Sequence, residues 1–143
     1  MMPASLAKVA AESREALHKI LNGDPTGYVA LFADRDDITL GKPFGPFGKG
    51  RTEVFKALNN AASKYRDGQV IAAERIAEYG SGNLLCLVEV EQGRTRLGAS
   101  TDFLVFAARV TTIYEEIESH WKLVHRHADP ITTYRSAESL LGT

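Results

Sequence analysis

Apolar positions recur at helical spacing in the first half of the chain and at strand spacing in the second. Across residues 5–22, Leu6, Val9, Ala10, Ser13, Leu17, Ile20 and Leu21 fall near the i, i+3, i+4, i+7 pattern, which predicts an amphipathic helix with Ser5 as its N-cap. Asn22-Gly23 ends it, because both residues tolerate a left-handed cap. Asp24-Pro25 then starts a short helix over about 25–33, with the aspartate as cap and proline in the first turn. Tyr28, Val29, Leu31 and Phe32 are its apolar contacts. Ile38-Thr39-Leu40 reads as a short strand, and the glycines and prolines of 41–50 read as a loop without regular structure. A third helix, over about 51–66, is capped by Thr52, carries Val54, Phe55, Leu58, Ala61, Ala62 and Tyr65 on one stripe, and stops at Asp67-Gly68.

From residue 69 the spacing changes to that of strands. Residues 69–79 and 84–91 are separated by the turn cluster Gly80-Ser81-Gly82-Asn83. Gln92-Gly93 reads as the next hairpin turn, 96–114 as a long strand, and 120–128 as the last, ended by Asp129-Pro130. Residues 131–143 form a polar-to-mixed tail, and no internal repeat or linker divides the chain, so 1–143 reads as one domain. The order is α-α-β-α-β-β-β-β. That predicts an α+β fold, a curved antiparallel sheet wrapped around three helices into a cone with a pocket at one end.

Composition narrows the class without naming a function. The chain has 143 residues, 44% hydrophobic and 24% charged, as expected of one globular domain. Lys and Arg total 17 against 18 Asp and Glu, for a formal net charge of -1, so neither nucleic acid nor an anionic membrane is expected as a partner. The single cysteine, Cys86, has no internal disulfide partner and reads as core. With neither an apolar leader nor a spanning segment, a cytoplasmic location is expected.

The run Gly23-Asp24-Pro25-Thr26-Gly27-Tyr28-Val29-Ala30-Leu31-Phe32-Ala33-Asp34 resembles the second-helix signature of the nuclear transport factor 2-like superfamily, which includes ketosteroid isomerases, SnoaL-like cyclases and the kinase association domain. Lys42-Pro43-Phe44-Gly45, Gly50-Arg51, and Trp121-Lys122-Leu123-Val124-His125-Arg126-His127 continue the likeness in order, the last being similar to SnoaL-like and kinase association members. The resemblance spans about residues 6–129 and implies the cystatin-like fold. Ketosteroid isomerases use an aspartate base, a tyrosine donor and a second, protonated aspartate. Those positions fall on Lys42, Ala16 and Asp102, so the resemblance implies one part of three. An arginine of the kinase association domain falls on Thr112.

Asp102 sits in the apolar run Ala-Ser-Thr-Asp-Phe-Leu-Val-Phe. It reads either as a pocket acid, or as a strand-start residue paired with Arg94 or Arg96 or facing solvent. His125 and His127, two apart on a strand, share one face, either as helpers in the pocket or as a surface pair at a dimer face; metal binding would need a third ligand that the spacing does not mark. Lys42 is a Schiff-base nucleophile or an anion anchor at the pocket mouth, or else a solvated loop residue. Tyr28, Phe32, Phe44, Phe47, Phe55, Thr112 and Trp121 complete the expected pocket lining. Arg109 is expected on the outer face, against a carboxylate across a strand or at an interface. Together these predict a homodimer with a pocket for a small apolar carbonyl compound, without cofactor or metal. The catalytic candidates are Asp102, His125 and His127, for proton transfer, cyclisation or hydration chemistry. The alternative is a non-catalytic oligomerisation or protein-binding module with a vestigial pocket.

Overall fold

The computed structural model describes residues 3–141. The elements run α1 (Pro3–Ile20), α2 (Thr26–Leu31), β1 (Thr39–Gly41), β2 (Phe47–Lys49), α3 (Gly50–Ala62), β3 (Tyr65–Ser81), β4 (Leu84–Leu97), β5 (Phe103–Ile117), β6 (His120–Asp129) and α4 (Glu138–Leu141). The strands form one six-stranded sheet in the order β2-β1-β6-β5-β4-β3, antiparallel except where β1 runs parallel to β6. The α+β class and the order of the main elements follow the hydrophobic pattern.

Three differences have local causes. The stretch 41–50 is not all loop: Gly41 and Phe47 pair, so β1 and β2 make a small hairpin around Lys42–Pro46. Glu53 Oε1 accepts the Lys49 N–H at 2.9 Å, doing the capping expected of Thr52. α1 begins at Pro3, ahead of the expected cap Ser5, whose side chain lies outside the described residues. The largest difference is in the sheet. Gln92-Gly93 is no turn; β4 runs through it to Leu97, and the turn falls at 98–102 with Gly98 at φ 59. Gly93 is needed for space instead, since a Cβ there would lie 2.7 Å from the Phe106 ring and 3.0 Å from the Gln69 carbonyl.

Helices α1, α2 and α3 cover one face of the sheet. Leu17, Leu21, Tyr28, Leu31, Val54 and Leu58 pack there against Leu85, Leu87, Tyr114 and Leu123. This is the inner face. On β4 it takes the odd-numbered residues, and the even-numbered Cys86, Val88 and Val90 are half-buried on the outer face. Register shifts on β3, and one between Ile113 and Tyr114 where β5 meets β6, bend the sheet around the helices.

Candidate functional site

The inner face changes character along β4. Leu85 and Leu87 lie in the core, whereas Glu89 and Glu91, in the same alternation, are 8% and 3% exposed. A charge so deeply buried needs a partner. Arg126 of β6 supplies one, donating from Nη1 and Nη2 to the two Glu91 carboxylate oxygens at 3.0 and 2.7 Å. Its guanidinium also lies 5.2 Å from the Tyr28 ring centroid. Burial pulls the Arg126 pKa down, and the Glu91 carboxylate overrides it, so the arginine is held above its usual value. Glu89 takes a bond from Arg75 Nε at 2.9 Å, while Arg75 Nη1 also reaches Glu78 at 3.2 Å.

Three hydroxyls surround this pair. Tyr28 Oη, Tyr114 Oη and Thr112 Oγ1 are buried with no hydrogen-bond partner among the described residues. Ser13 and Thr112 stand near enough to Tyr114 to oppose the rise in its pKa, though neither meets it in hydrogen-bond geometry; burial is the larger effect and raises it. Burial likewise drives Tyr28 far above its ordinary value, against the pull of Arg126.

Beside this cluster lies a cleft of about 280 Å³ between α1 and the inner faces of β3 and β4. Ser13, Arg14, Arg75, Glu89 and Glu91 line it together with Leu17 and three alanines, Ala10, Ala11 and Ala73. Its wall is thus mixed, with charged groups from α1, β3 and β4 set among Leu17 and the alanines. A wider groove of about 550 Å³ runs between α1, α2 and the β5–β6 hairpin. Exposed Lys8, Glu12 and Glu15 rim it, and its buried floor of Val9, Ala16 and Leu31 offers no polar group.

The expected site residues scatter. Asp102 is exposed on the β4–β5 turn, where its backbone N–H donates to Ser100 Oγ at 3.1 Å. It moved out of the strand because the turn lies at 98–102, not at 92–93. Arg94 and Arg96 do not pair with it; both lie over the Phe103 ring, at 4.7 and 4.3 Å. His125 and His127 do share one face, but it is the outer one. His125 Nδ1 is 2.8 Å from Thr39 Oγ1, and the Phe47 ring centroid lies 6.4 and 5.8 Å from those of His125 and His127. Partial burial, and then the neighbouring His127, lower the His125 pKa. No group of three or more metal-type ligands converges among the described residues.

Of the expected lining, Tyr28 and Thr112 join the buried polar cluster. Phe32 is core, and Phe55 lies half-buried on α3 with the Arg51 guanidinium 5.8 Å from its ring. Phe44 and Phe47, at 84% and 62% exposure, stand outside any cavity, as does half-buried Lys42. Trp121 lines the wider groove. Arg109 faces outward and holds Asp129 of β6 at 2.8 and 2.9 Å, the cross-strand carboxylate expected for it. Sequence reading missed Glu89, Glu91, Arg75 and Arg126. The signal for the glutamates was present, since they continue the inward alternation of Leu85 and Leu87.

No protein-family model and no curated protein matches the chain. Solved structures do. A candidate dehydratase of the nuclear transport factor 2-like family from Streptomyces avermitilis superposes with a TM-score of 0.74 at 17% identity, over 90% of this chain and 95% of that one. A candidate calcium/calmodulin-dependent protein kinase II association domain from Xanthomonas campestris gives 0.72 at 16% identity, over 94% of each chain. A ketosteroid isomerase-like protein from Erwinia carotovora atroseptica gives 0.69 at 14% identity, over 92% of this chain and 100% of that one. At these identities the likeness is one of architecture. No helix among the described residues is long and apolar enough to cross a membrane. Element order, sheet and superpositions agree on one conclusion: the chain has the nuclear transport factor 2-like, or cystatin-like, fold.

Proposed function

We propose that the protein binds a small polar molecule in the cleft between α1 and β3–β4, and that Glu89 exchanges a proton with it. The observation that carries this reading is the placement of Glu89. Its Oε2 is fixed by Arg75, its Oε1 has no hydrogen bond among the described residues, and the residue lines the cleft. A carboxylate held in place with one free oxygen is the arrangement general acid–base chemistry requires. Proton transfer or hydration–dehydration of a hydrogen-bonding substrate is the reaction class that fits it. The polar groups in the wall, Ser13, Arg14, Arg75, Glu89 and Glu91, favour a hydroxylated or carbonyl-bearing guest over a purely apolar one. Structural likeness to a candidate dehydratase and a ketosteroid isomerase-like protein is in keeping with that class.

Self-association belongs to the same reading. Cys86, Val88, Val90 and Ile113 form a half-exposed apolar strip on the outer face, suited to a second copy. A non-catalytic oligomerisation module is the second reading. It is favoured by Lys42 and Asp102 standing outside the cleft and by Ala16 sitting in the core.

Native mass spectrometry of the protein, purified without added ligand, separates the two. The catalytic reading expects a bound small molecule that is released on denaturation. Occupancy should fall sharply in Ala73→Phe, which fills the cleft without touching its charges. Bare protein mass in both forms would support the oligomerisation module.

A further inference from the structure

The edge of β5 points to a strand-exchange site. β5 pairs with β4 from Phe103 to Glu115, but with β6 only from Arg109 onward, because β6 ends at Asp129. Residues 103–108 therefore present one open backbone edge, reading Phe-Leu-Val-Phe-Ala-Ala. Phe103, Leu104 and Val105 are 39%, 52% and 75% exposed. Proteins usually blunt such an edge with charge, proline or a bulge. This one has none of them, whereas the outer edge of β3 carries Glu74, Arg75 and Glu78 and register shifts.

The segment that would continue β6 into this lane is turned away. Asp129 Oδ1 accepts the Ile131 N–H at 3.0 Å, and the Pro130 carbonyl accepts the Thr132 N–H at 3.0 Å. Pro130 has no N–H to offer the ladder. Beyond this turn, Ile131-Thr132-Thr133-Tyr134-Arg135 is rich in strand-forming residues yet packs on little: Ile131 is 37% exposed and Tyr134 105%.

We propose that residues 131–135 of a second copy add as an antiparallel strand to the Phe103–Ala108 edge, in the lane β6 leaves empty. Carrying forward the Arg109↔Asp129 register sets Thr133 opposite Val105. It also brings Arg135 beside Phe103 and the exposed Asp102, so opposite charges meet at the end of the added strand. Asp102, without a place in the cleft, gains one here. Main-chain bonds supply the attachment and side-chain spacing sets the register, as in other strand additions.

The test co-expresses two single-cysteine chains, Val105→Cys and Thr133→Cys, each carrying Cys86→Ser. Both positions are exposed, and circular dichroism checks that each chain folds. A short bismaleimide is added, and products are read by denaturing gel and mass spectrometry. The expected product is a covalent heterodimer joined between positions 105 and 133. Arg135→Glu should lower its yield severalfold, and adding Asp102→Lys should restore it. Cross-links joining only 105 to 105 would show edge-to-edge pairing and overturn the proposal. So would purely intrachain links in a chain carrying both cysteines, which would mean its own segment fills the lane, or no cross-link between folded chains. The positions probed lie off the Cys86–Val88–Ile113 strip, so a dimer through the outer face neither creates nor abolishes the expected product.

Discussion

Arg126 and Glu91 reach each other diagonally across β5, and both are under 10% exposed. Removing one partner from such a pair strands a charge away from water, at a cost of about 3–5 kcal/mol. Arg126→Met should therefore lower unfolding stability by roughly that amount in urea titrations. The double variant Arg126→Met/Glu91→Leu should recover most of the loss, because both charges go together. Equal losses in single and double variants would mean that the pair matters for its shape and not for its charge. His125 gives a second residue-level prediction. Its pKa in the fold lies below the ordinary value of 6.5, so folding favours the neutral ring. The corresponding stability is present above about pH 6.5 and is lost as pH falls through the lowered folded value. Urea midpoints at pH 7.5 and 5.5 should differ less in His125→Asn than in the native chain. At this scale the sequence was only partly legible. Glu89 and Glu91 sit in phase with Leu85 and Leu87, but an acidic residue in a strand reads as solvated until a buried arginine is seen opposite. Arg126 comes from a strand 35 residues away from Glu91, and no spacing rule links them.

The elements themselves were easier to read, because helices α1 and α3 and strands β4 and β6 each carry a long apolar period. The error lay in punctuation. Gln92-Gly93 has the composition of a hairpin turn, yet Gly93 is inside β4, where Phe106 occupies the space of the missing side chain. That misplaced turn pushed Asp102 into a strand and made it look like a buried acid. The two readings of Gly93 predict different behaviour. A turn glycine there could be replaced with little strain, whereas a packing glycine could not. Gly93→Ala should cost about 1–3 kcal/mol through overpacking. Phe106→Leu in the same chain should relieve part of it, as judged by thermal or urea unfolding. No relief would place the strain on the Gln69 carbonyl instead. Strand β2, and with it the hairpin to the expected strand β1, was missed for a similar reason, since a three-residue strand among prolines and glycines carries almost no periodic signal.

At the scale of the molecule, the sheet gives its two faces different work. The inner face is apolar under α2 and α3 and turns charged where α1 crosses β3 and β4; the outer face keeps a half-exposed apolar strip. If that strip joins two copies, Val88→Glu should shift the protein toward monomer in sedimentation velocity, with its circular dichroism unchanged. An unaltered sedimentation coefficient would remove the outer face from the account. The fold as a whole was legible because helix period, then strand period, then a sheet long enough to curl leave few architectures open. The cleft was not, since its walls come from α1, β3 and β4 and its chemistry depends on which side of each strand faces in. A high-resolution crystal structure of the protein purified without added ligand tests the central claim most directly. The account predicts non-protein density in the cleft, within hydrogen-bond distance of the free Glu89 oxygen. A cleft closed by Arg14 and Leu17 side chains, with Glu89 turned out to solvent, would contradict it.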